Sequence, residues 1–188
     1  MKKVQFFSEI LGDFLLPLLG FLFWSWDLYF ILLFILLDYT IRLLFAFVRP
    51  ESRSFQLLLR PALFYLSFLI LSHFYMVLTA HTWRFTSAVS NFFWYEDFFI
   101  PQGFIILPLL IYTETSRQRM ELMMTGSYNA VLQTKKLGSR MLSGTIVFML
   151  MSLFLAVFDW SQTAEIIFFL GAWLALIILE NKAVFFKA

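Results

Sequence analysis

Cysteine is absent from the 188 residues of this chain, and only two histidines occur. Without cysteine there can be no disulfide bond, no thiolate metal site and no thiol nucleophile. His73 and His81 are separated by ~12 Å along a helix, so they cannot bind one metal ion together. The GxSxG, HExxH and Walker motifs are also missing. The sequence therefore argues against an enzyme and predicts no metal ion and no cofactor.

Charge is scarce as well, whereas apolar residues are abundant. Charged residues make up 14% of the chain, hydrophobic residues make up 61%, and the mean hydropathy is +0.82. Runs such as FILLFILL and GTIVFMLMSLFLAVF suit lipid rather than water as the solvent. Because no polar linker is long enough to separate two domains, we expect a single all-α transmembrane domain over residues 1–188.

The apolar segments predict how many times the chain crosses the bilayer. A hydrocarbon core of ~30 Å is crossed by about 20 helical residues. The sequence predicts a polytopic bundle of six transmembrane helices near residues 8–25, 27–48, 61–81, 97–113, 141–158 and 163–181. No small-x-small cleavage site follows the first segment, which we interpret as a retained helix.

The distribution of basic residues predicts the orientation of this bundle. With both termini inside, 13 of the 14 Lys and Arg residues lie on the inner side, and only Arg84 lies outside. Most Trp residues fall near the predicted outer ends, where indole rings favour the headgroup level. We therefore expect a protein of a prokaryotic plasma (inner) membrane, embedded in the lipid bilayer with both termini in the cytoplasm.

Acidic residues collect on the predicted outer side. Glu96 and Asp97 lie among aromatic residues in SNFFWYEDFFIPQGF, at the end of the one sizeable outer loop. The structural interpretation is that they mark re-entry into the bilayer, where an acid also suits a helix N-terminus. The functional alternative is a cation-attracting outer mouth that they form together with Asp27, Asp159 and Glu165.

The inner loop at 114–140 is the longest polar stretch, and part of it could form an interfacial helix. The structural interpretation is a solvated connector that carries the positive charge of the inner side. The alternative is a contact surface for a membrane-protein partner or anionic lipid. Its basic residues are Arg117, Arg119, Lys135, Lys136 and Arg140. Nucleic-acid binding is not expected, because topology already requires these cations.

The first predicted hairpin contains ionisable groups inside the membrane. When the hairpin folds about Ser25–Trp26, Asp13 and Asp38 lie at one depth and Glu9 lies level with Arg42. Both Asp residues then lie ~17–19 Å below the turn, near mid-membrane. Three carboxylates with one guanidinium would bind a proton or cation, or recruit a base from another helix. The alternative is a structural Asp38–Arg42 ion pair.

The positions of His73 and Arg140 in the predicted helices indicate further polar interactions. His73 lies within the third predicted helix, as a hydrogen-bonded bundle residue or as a proton relay to the acidic cluster. Arg140 falls level with Glu180, which predicts an interfacial ion pair between the last two helices.

Residues 15–50, LLPLLGFLFWSWDLYFILLFILLDYTIRLLFAFVRP, resemble the first hairpin of a family of six-span prokaryotic membrane proteins of unknown function. The matching elements are Pro17, Gly20, Trp26 and an acid late in the second helix, here Asp38. That family more often has Tyr-Trp-x-Glu near this acid, where this chain reads LLDY. The resemblance implies architecture only.

Two functions are compatible with these features. The first is a non-enzymatic subunit or scaffold of a membrane complex, with a membrane-protein partner or a second copy as the neighbour. The second is a small transporter or channel for protons, cations or a hydrophobic solute. It would use Glu9, Asp13, Asp38, Arg42 and His73. A hydrated cavity reaching Asp13 and Asp38 would favour transport, and a dry bundle would favour a subunit.

Overall fold

The computed structural model describes residues 11–24, 26–48, 55–80, 90, 93–94, 102–126, 129–157 and 161–180. Across these ranges the chain is helical and contains no strand. A π-helical turn at Leu11–Leu15 continues directly into the first α-helix. The α-helices are α1 (Leu16–Trp24), α2 (Leu28–Val48), α3 (Phe55–Ala80), α4 (Gln102–Thr125), α5 (Ala130–Val157) and α6 (Gln162–Glu180).

Four of these helices are long and apolar enough to cross a membrane. The segments are Leu28–Val48, Gln56–Tyr75, Ala130–Phe154 and Gln162–Leu179, and Asp13–Trp24 is a shorter apolar helix. The class of membrane-spanning helical protein agrees with the sequence prediction. The count of six spans stays a prediction, as does the position of both termini, because residues 1–10 and 181–188 lie outside the described ranges.

The fourth predicted span differs most from the observed helix. The prediction placed it at 97–113, whereas α4 covers Gln102–Thr125. Its charged residues begin at Glu114, so its apolar part is about 12 residues, or ~18 Å, long. That length is short of a ~30 Å hydrocarbon core. Residues 95–101, which belong in part to the predicted span, lie outside the described residues.

The stretch at 114–140 consists mainly of continuous helix. Residues 114–125 belong to α4 and residues 130–140 belong to α5. Gly126 ends α4 with a φ of 72°, and its N–H donates to the carbonyl of Leu122 at 2.9 Å, an αL helix cap. The side chain of Asn129 caps α5 by accepting from the N–H of Leu132 at 2.9 Å. A short connection therefore joins the two helices.

Helix α2 forms the centre of the bundle, and aromatic rings join it to its neighbours. The ring of Phe68 on α3 lies 6.2 Å from Tyr39 on α2 and 5.5 Å from Phe148 on α5. Trp173 on α6 stacks on Phe169 at 5.9 Å and lies 6.4 Å from Tyr39. Edge-to-face and stacked rings at these distances pack favourably beyond their buried area.

Helices α3 and α5 run parallel and pack closely. Pro61 of α3 lies against Gly138 of α5, and further along both helices Phe68 lies against Phe148. A Cβ atom on Gly138 would lie 3.4 Å from the Pro61 ring, so the small residue permits the contact. Parallel packing is what the six-span prediction requires of its third and fifth helices.

The hydroxyl groups of these apolar helices mostly bond their own backbone. Ser72 donates to the carbonyl of Phe68, Thr145 to Met141 and Ser152 to Phe148, each at 2.7 Å. A hydroxyl that bonds the carbonyl four residues earlier needs no water, so it is tolerated in an apolar setting.

The two ends of the bundle differ in charge. The described Lys and Arg residues all lie at the end formed by the C-terminal halves of α2 and α4 and the N-terminal halves of α3 and α5. They are Arg42, Arg60, Arg117, Arg119, Lys135, Lys136 and Arg140. We call this the basic end. Asp27 and Glu165 begin or precede helices at the opposite end.

Candidate functional site

The site is built around Asp13, which lies in the π-helical turn before α1. Pro17, four residues later, has no N–H, so the Asp13 carbonyl lacks the donor that an α-helix would supply. Instead, the indole Nε1–H of Trp173 on α6 donates to this carbonyl at 3.2 Å. The proline thus frees a backbone acceptor inside the bundle, and a helix distant in sequence satisfies it.

The Asp13 carboxylate lies between two arginines. Its Oδ1 accepts from Nη2 of Arg42 on α2, and its Oδ2 accepts from Nη1 of Arg140 on α5 at 2.7 Å. The same Nη2 of Arg42 contacts Oδ2 of Asp38 at 2.8 Å. All four residues are buried, and none of them is more than 9% exposed. Charge-assisted hydrogen bonds therefore join the first helical segment, α2 and α5.

A second acid–base pair lies next to this group on α4. Glu114 is buried and contacts Nη2 of Arg117 at 2.6 Å, and it accepts from the amide of Gln118 at 2.8 Å. Glu114 and Arg117 line a small cavity together with Arg42, which places the pair beside the first group. We call Asp13, Asp38, Arg42, Glu114, Arg117 and Arg140 the ionic network.

The formal charges of the ionic network balance. Its three carboxylates face three guanidinium groups, whereas the hairpin alone would carry two described carboxylates and one guanidinium. A balanced, hydrogen-bonded set has less need of an added cation than an acidic cluster would. The arrangement therefore joins helices and neutralises charge in the apolar interior.

Two polar atoms near the ionic network have no hydrogen-bond partner among the described residues. They are Nε of Arg42 and the hydroxyl of Tyr39, both buried. The cavity lined by Arg42 measures about 20 Å³, enough for about one water molecule. Thr134 and Gln133 of α5 also line it and add polar character.

The structure brings together some of the predicted ion-site residues. Asp13 and Asp38 meet at one depth through Arg42, as the hairpin geometry predicts. His73 lies about eight residues, or ~12 Å, further along α3 than Tyr65, whose hydroxyl contacts Thr40 near the ionic network. His73 therefore lies toward the opposite end. Glu9 lies outside the described residues.

Arg140 has a partner that the sequence did not predict. Its Nη1 bonds Asp13, which is 127 residues away in sequence, and the expected pair with Glu180 stays a prediction. The side chain of Glu180 lies outside the described part of the chain. A sequence signal for this site does exist, because Trp173 is the one Trp placed mid-span and a buried indole N–H requires an acceptor. Glu114 and Trp173 were not assigned to the site from the sequence.

At the opposite end, the structure describes two of the predicted outer acids. Asp27 caps α2 by accepting from the N–H of Phe30 at 2.7 Å, and burial raises its pKa above the ordinary value. Glu165 accepts from the hydroxyl of Tyr75 at 2.8 Å, which joins α6 to α3. The remaining predicted members, Glu96, Asp97 and Asp159, lie outside the described residues.

The five basic residues predicted to contact a partner or lipid divide into two groups. Arg140 and Arg117 point into the ionic network through Asp13 and Glu114. Arg119, Lys135 and Lys136 are exposed on α4 and α5.

Comparisons with known proteins do not add to this description: no family model, curated protein or solved structure matches the chain. What the chain defines on its own is a helical protein with four helices long and apolar enough to span a membrane, and with a buried, charge-balanced site.

Proposed function

We propose that the protein is a non-enzymatic subunit or scaffold of a membrane complex. In this proposal it is a six-span protein of a prokaryotic inner membrane, with both termini in the cytoplasm. The observation that carries it is the ionic network, in which Asp13 is held by both Arg42 and Arg140. Such a set fixes the relative positions of α2, α5 and the first helical segment without a bound solute.

The outward faces of the bundle support this proposal. Large apolar side chains are exposed along α3, such as Leu63, Leu66, Ile70 and Phe74. In a membrane these side chains contact acyl chains or the helices of a neighbouring protein, since exposed apolar patches of this size are unfavourable in water. A scaffold has a rigid interior and apolar faces that other helices can contact.

The test is purification of the full chain from its native membrane in mild detergent after crosslinking. We expect a stable stoichiometric membrane-protein partner, or a second copy of the chain, to be retained. The test variant is Ile70→Arg, on the exposed face of α3. Its matched control is Ser67→Ala, an exposed position on the same face. Loss of the partner only in the Ile70→Arg variant supports the proposal, and a monomer without partners under all conditions contradicts it.

A second function is favoured by a specific observation: Arg42, whose Nε has no hydrogen-bond partner among the described residues, lines a water-sized cavity. In this alternative, protons or a cation pass through the bundle at the ionic network. Proteoliposomes with an imposed pH gradient distinguish the two functions. Flux that is lost in Asp38→Asn but kept in the surface variant Arg119→Gln would establish transport in place of the scaffold.

A further inference from the structure

The exposed face of α5 changes from apolar to basic along its length. Leu142, Ile146, Leu150 and Leu153 are exposed at helical spacing. Toward the basic end the same side of the helix continues to the exposed Lys135, seven residues before Leu142, and the exposed Lys136 is its neighbour. Lys136 lies six residues, or ~9 Å, from Leu142. An apolar stripe suits acyl chains, and lysines just beyond its end lie where lipid phosphates are found.

Helix α4 also has exposed apolar residues followed by an exposed cation, at the same height in the bundle as on α5. Ile111 and Tyr112 are exposed and apolar or aromatic, and Arg119 is exposed two turns further on. The amide of Gln133 on α5 donates to Glu121 on α4 at 2.6 Å, which fixes the register of the two helices. Arg119 precedes Glu121 by two residues, and Lys135 follows Gln133 by two residues. Both therefore lie nearer to the bundle than the hydrogen bond does. The cations of both helices therefore share one level.

We infer that Arg119, Lys135 and Lys136, here called the basic belt, bind the phosphate headgroups of anionic phospholipids. Among the described residues at this level, three cations and the acid Glu121 leave a net charge of about +2. A negative headgroup complements that charge while its acyl chains lie along the apolar stripe of α5. Each Lys or Arg near an anionic membrane surface contributes about fivefold in affinity. The inference does not depend on whether the protein is a scaffold or a transporter.

The test is a native mass-spectrometry titration of the full chain in detergent with short-chain phosphatidylglycerol or phosphatidylcholine. We expect phosphatidylglycerol to bind more tightly, and added salt to weaken that preference. Lys135→Gln with Lys136→Gln should lower affinity for phosphatidylglycerol about 25-fold and leave that for phosphatidylcholine unchanged. Lys135→Arg with Lys136→Arg should keep the preference, because the charge is retained.

The matched control is Leu132→Ser, an exposed position on the same helix one turn from the belt. It should bind phosphatidylglycerol like the wild type. Equal affinity for the two lipids in the wild type, or an unchanged double Gln variant, would overturn the inference. So would a loss in Leu132→Ser as large as in the double variant, which would indicate apolar docking. Competition by inorganic phosphate at the lipid's own concentration would indicate a free-anion site instead. Circular dichroism and gel filtration confirm that each variant is folded.

Discussion

At the residue scale, Asp13 connects the ionic network to three helices. Its carboxylate bonds two arginines and its carbonyl bonds an indole, so three other helices converge on it. Its burial would be costly if either arginine were missing, since a buried charge without a partner is strongly destabilising. The two predictions at this scale follow from these bonds.

Replacing Arg140 by Gln should lower the free energy of unfolding by about 3–5 kcal/mol, because Asp13 and Asp38 would then share Arg42 alone. Adding Asp13→Asn should recover part of the loss, so that the double variant is more stable than the sum of the two single changes predicts. Unfolding in mixed micelles by sodium dodecyl sulfate measures these values. The exposed Arg119→Gln should change stability by less than about 0.5 kcal/mol. Strict additivity of the two changes would contradict a direct Asp13–Arg140 bond.

Replacing Trp173 by Phe should cost about 0.5–1.5 kcal/mol for the lost hydrogen bond to the Asp13 carbonyl, in addition to lost packing. The cost should be smaller in a Pro17→Ala background. Alanine restores the N–H at position 17, so the helix itself can satisfy that carbonyl. The same unfolding measurement on all four proteins gives the coupling. Equal costs in both backgrounds would show that the proline does not free this carbonyl.

At the element scale, glycines decide where segments come into close contact. A Cβ atom on Gly20 of α1 would lie 2.2 Å from the indole of Trp26, and the N–H of Trp26 donates to the carbonyl of Gly20 at 3.1 Å. A Cβ atom on Gly171 of α6 would meet no atom within 4 Å. The turn between α1 and α2 therefore requires glycine at position 20, whereas position 171 accepts a larger residue within the described structure.

Changing Gly20 to Ala should destabilise the protein by about 1–3 kcal/mol, because a rigid buried ring must move. Changing Gly171 to Ala should have little effect or stabilise slightly, since alanine favours a helix. Thermal unfolding followed by intrinsic fluorescence measures both, with Trp26 itself reporting on its displacement. A Gly20→Ala protein as stable as the wild type would exclude this close approach. A large loss for Gly171→Ala would indicate an interface on that face with another helix.

Sequence patterns predicted the long apolar elements better than the interior contacts. The second helix was predicted at 27–48 and observed at Leu28–Val48, because an uninterrupted apolar run has few other structures in lipid. The depth match of Asp13 and Asp38 followed from helical rise alone. The Arg140 bond could not be predicted, because it depends on how distant helices pack and no local pattern encodes that. A helix within 114–140 was one of the expectations, but the continuity of that stretch with α4 and α5 was not predicted, because polar helical turns lack an apolar signal.

At the scale of the whole molecule, charge is segregated between the two ends. Every Lys and Arg in the described ranges lies at the basic end, and Asp27 and Glu165 lie at the opposite end. Segregation of this kind predicts that the basic end faces the cytoplasm. The orientation of the bundle can be tested directly, because the chain has no cysteine of its own.

Single cysteines introduced at Lys135 and Ser161 should react differently with a membrane-impermeant maleimide. Ser161→Cys should be labelled in intact cells, because it precedes α6 at the opposite end. Lys135→Cys should be labelled only after the membrane is permeabilised. Both positions are exposed, so access and not burial decides the result. The reverse pattern would place the basic end outside and overturn the predicted orientation.

The sequence separation of Asp13 and Arg140 has a consequence for how the protein is made. The two residues are 127 positions apart, so at about 5–20 residues per second the ribosome delivers the second roughly 6–25 s after the first. Until then the newborn hairpin holds two acids against a single base. The second base that balances these two acids comes only with the fifth helix.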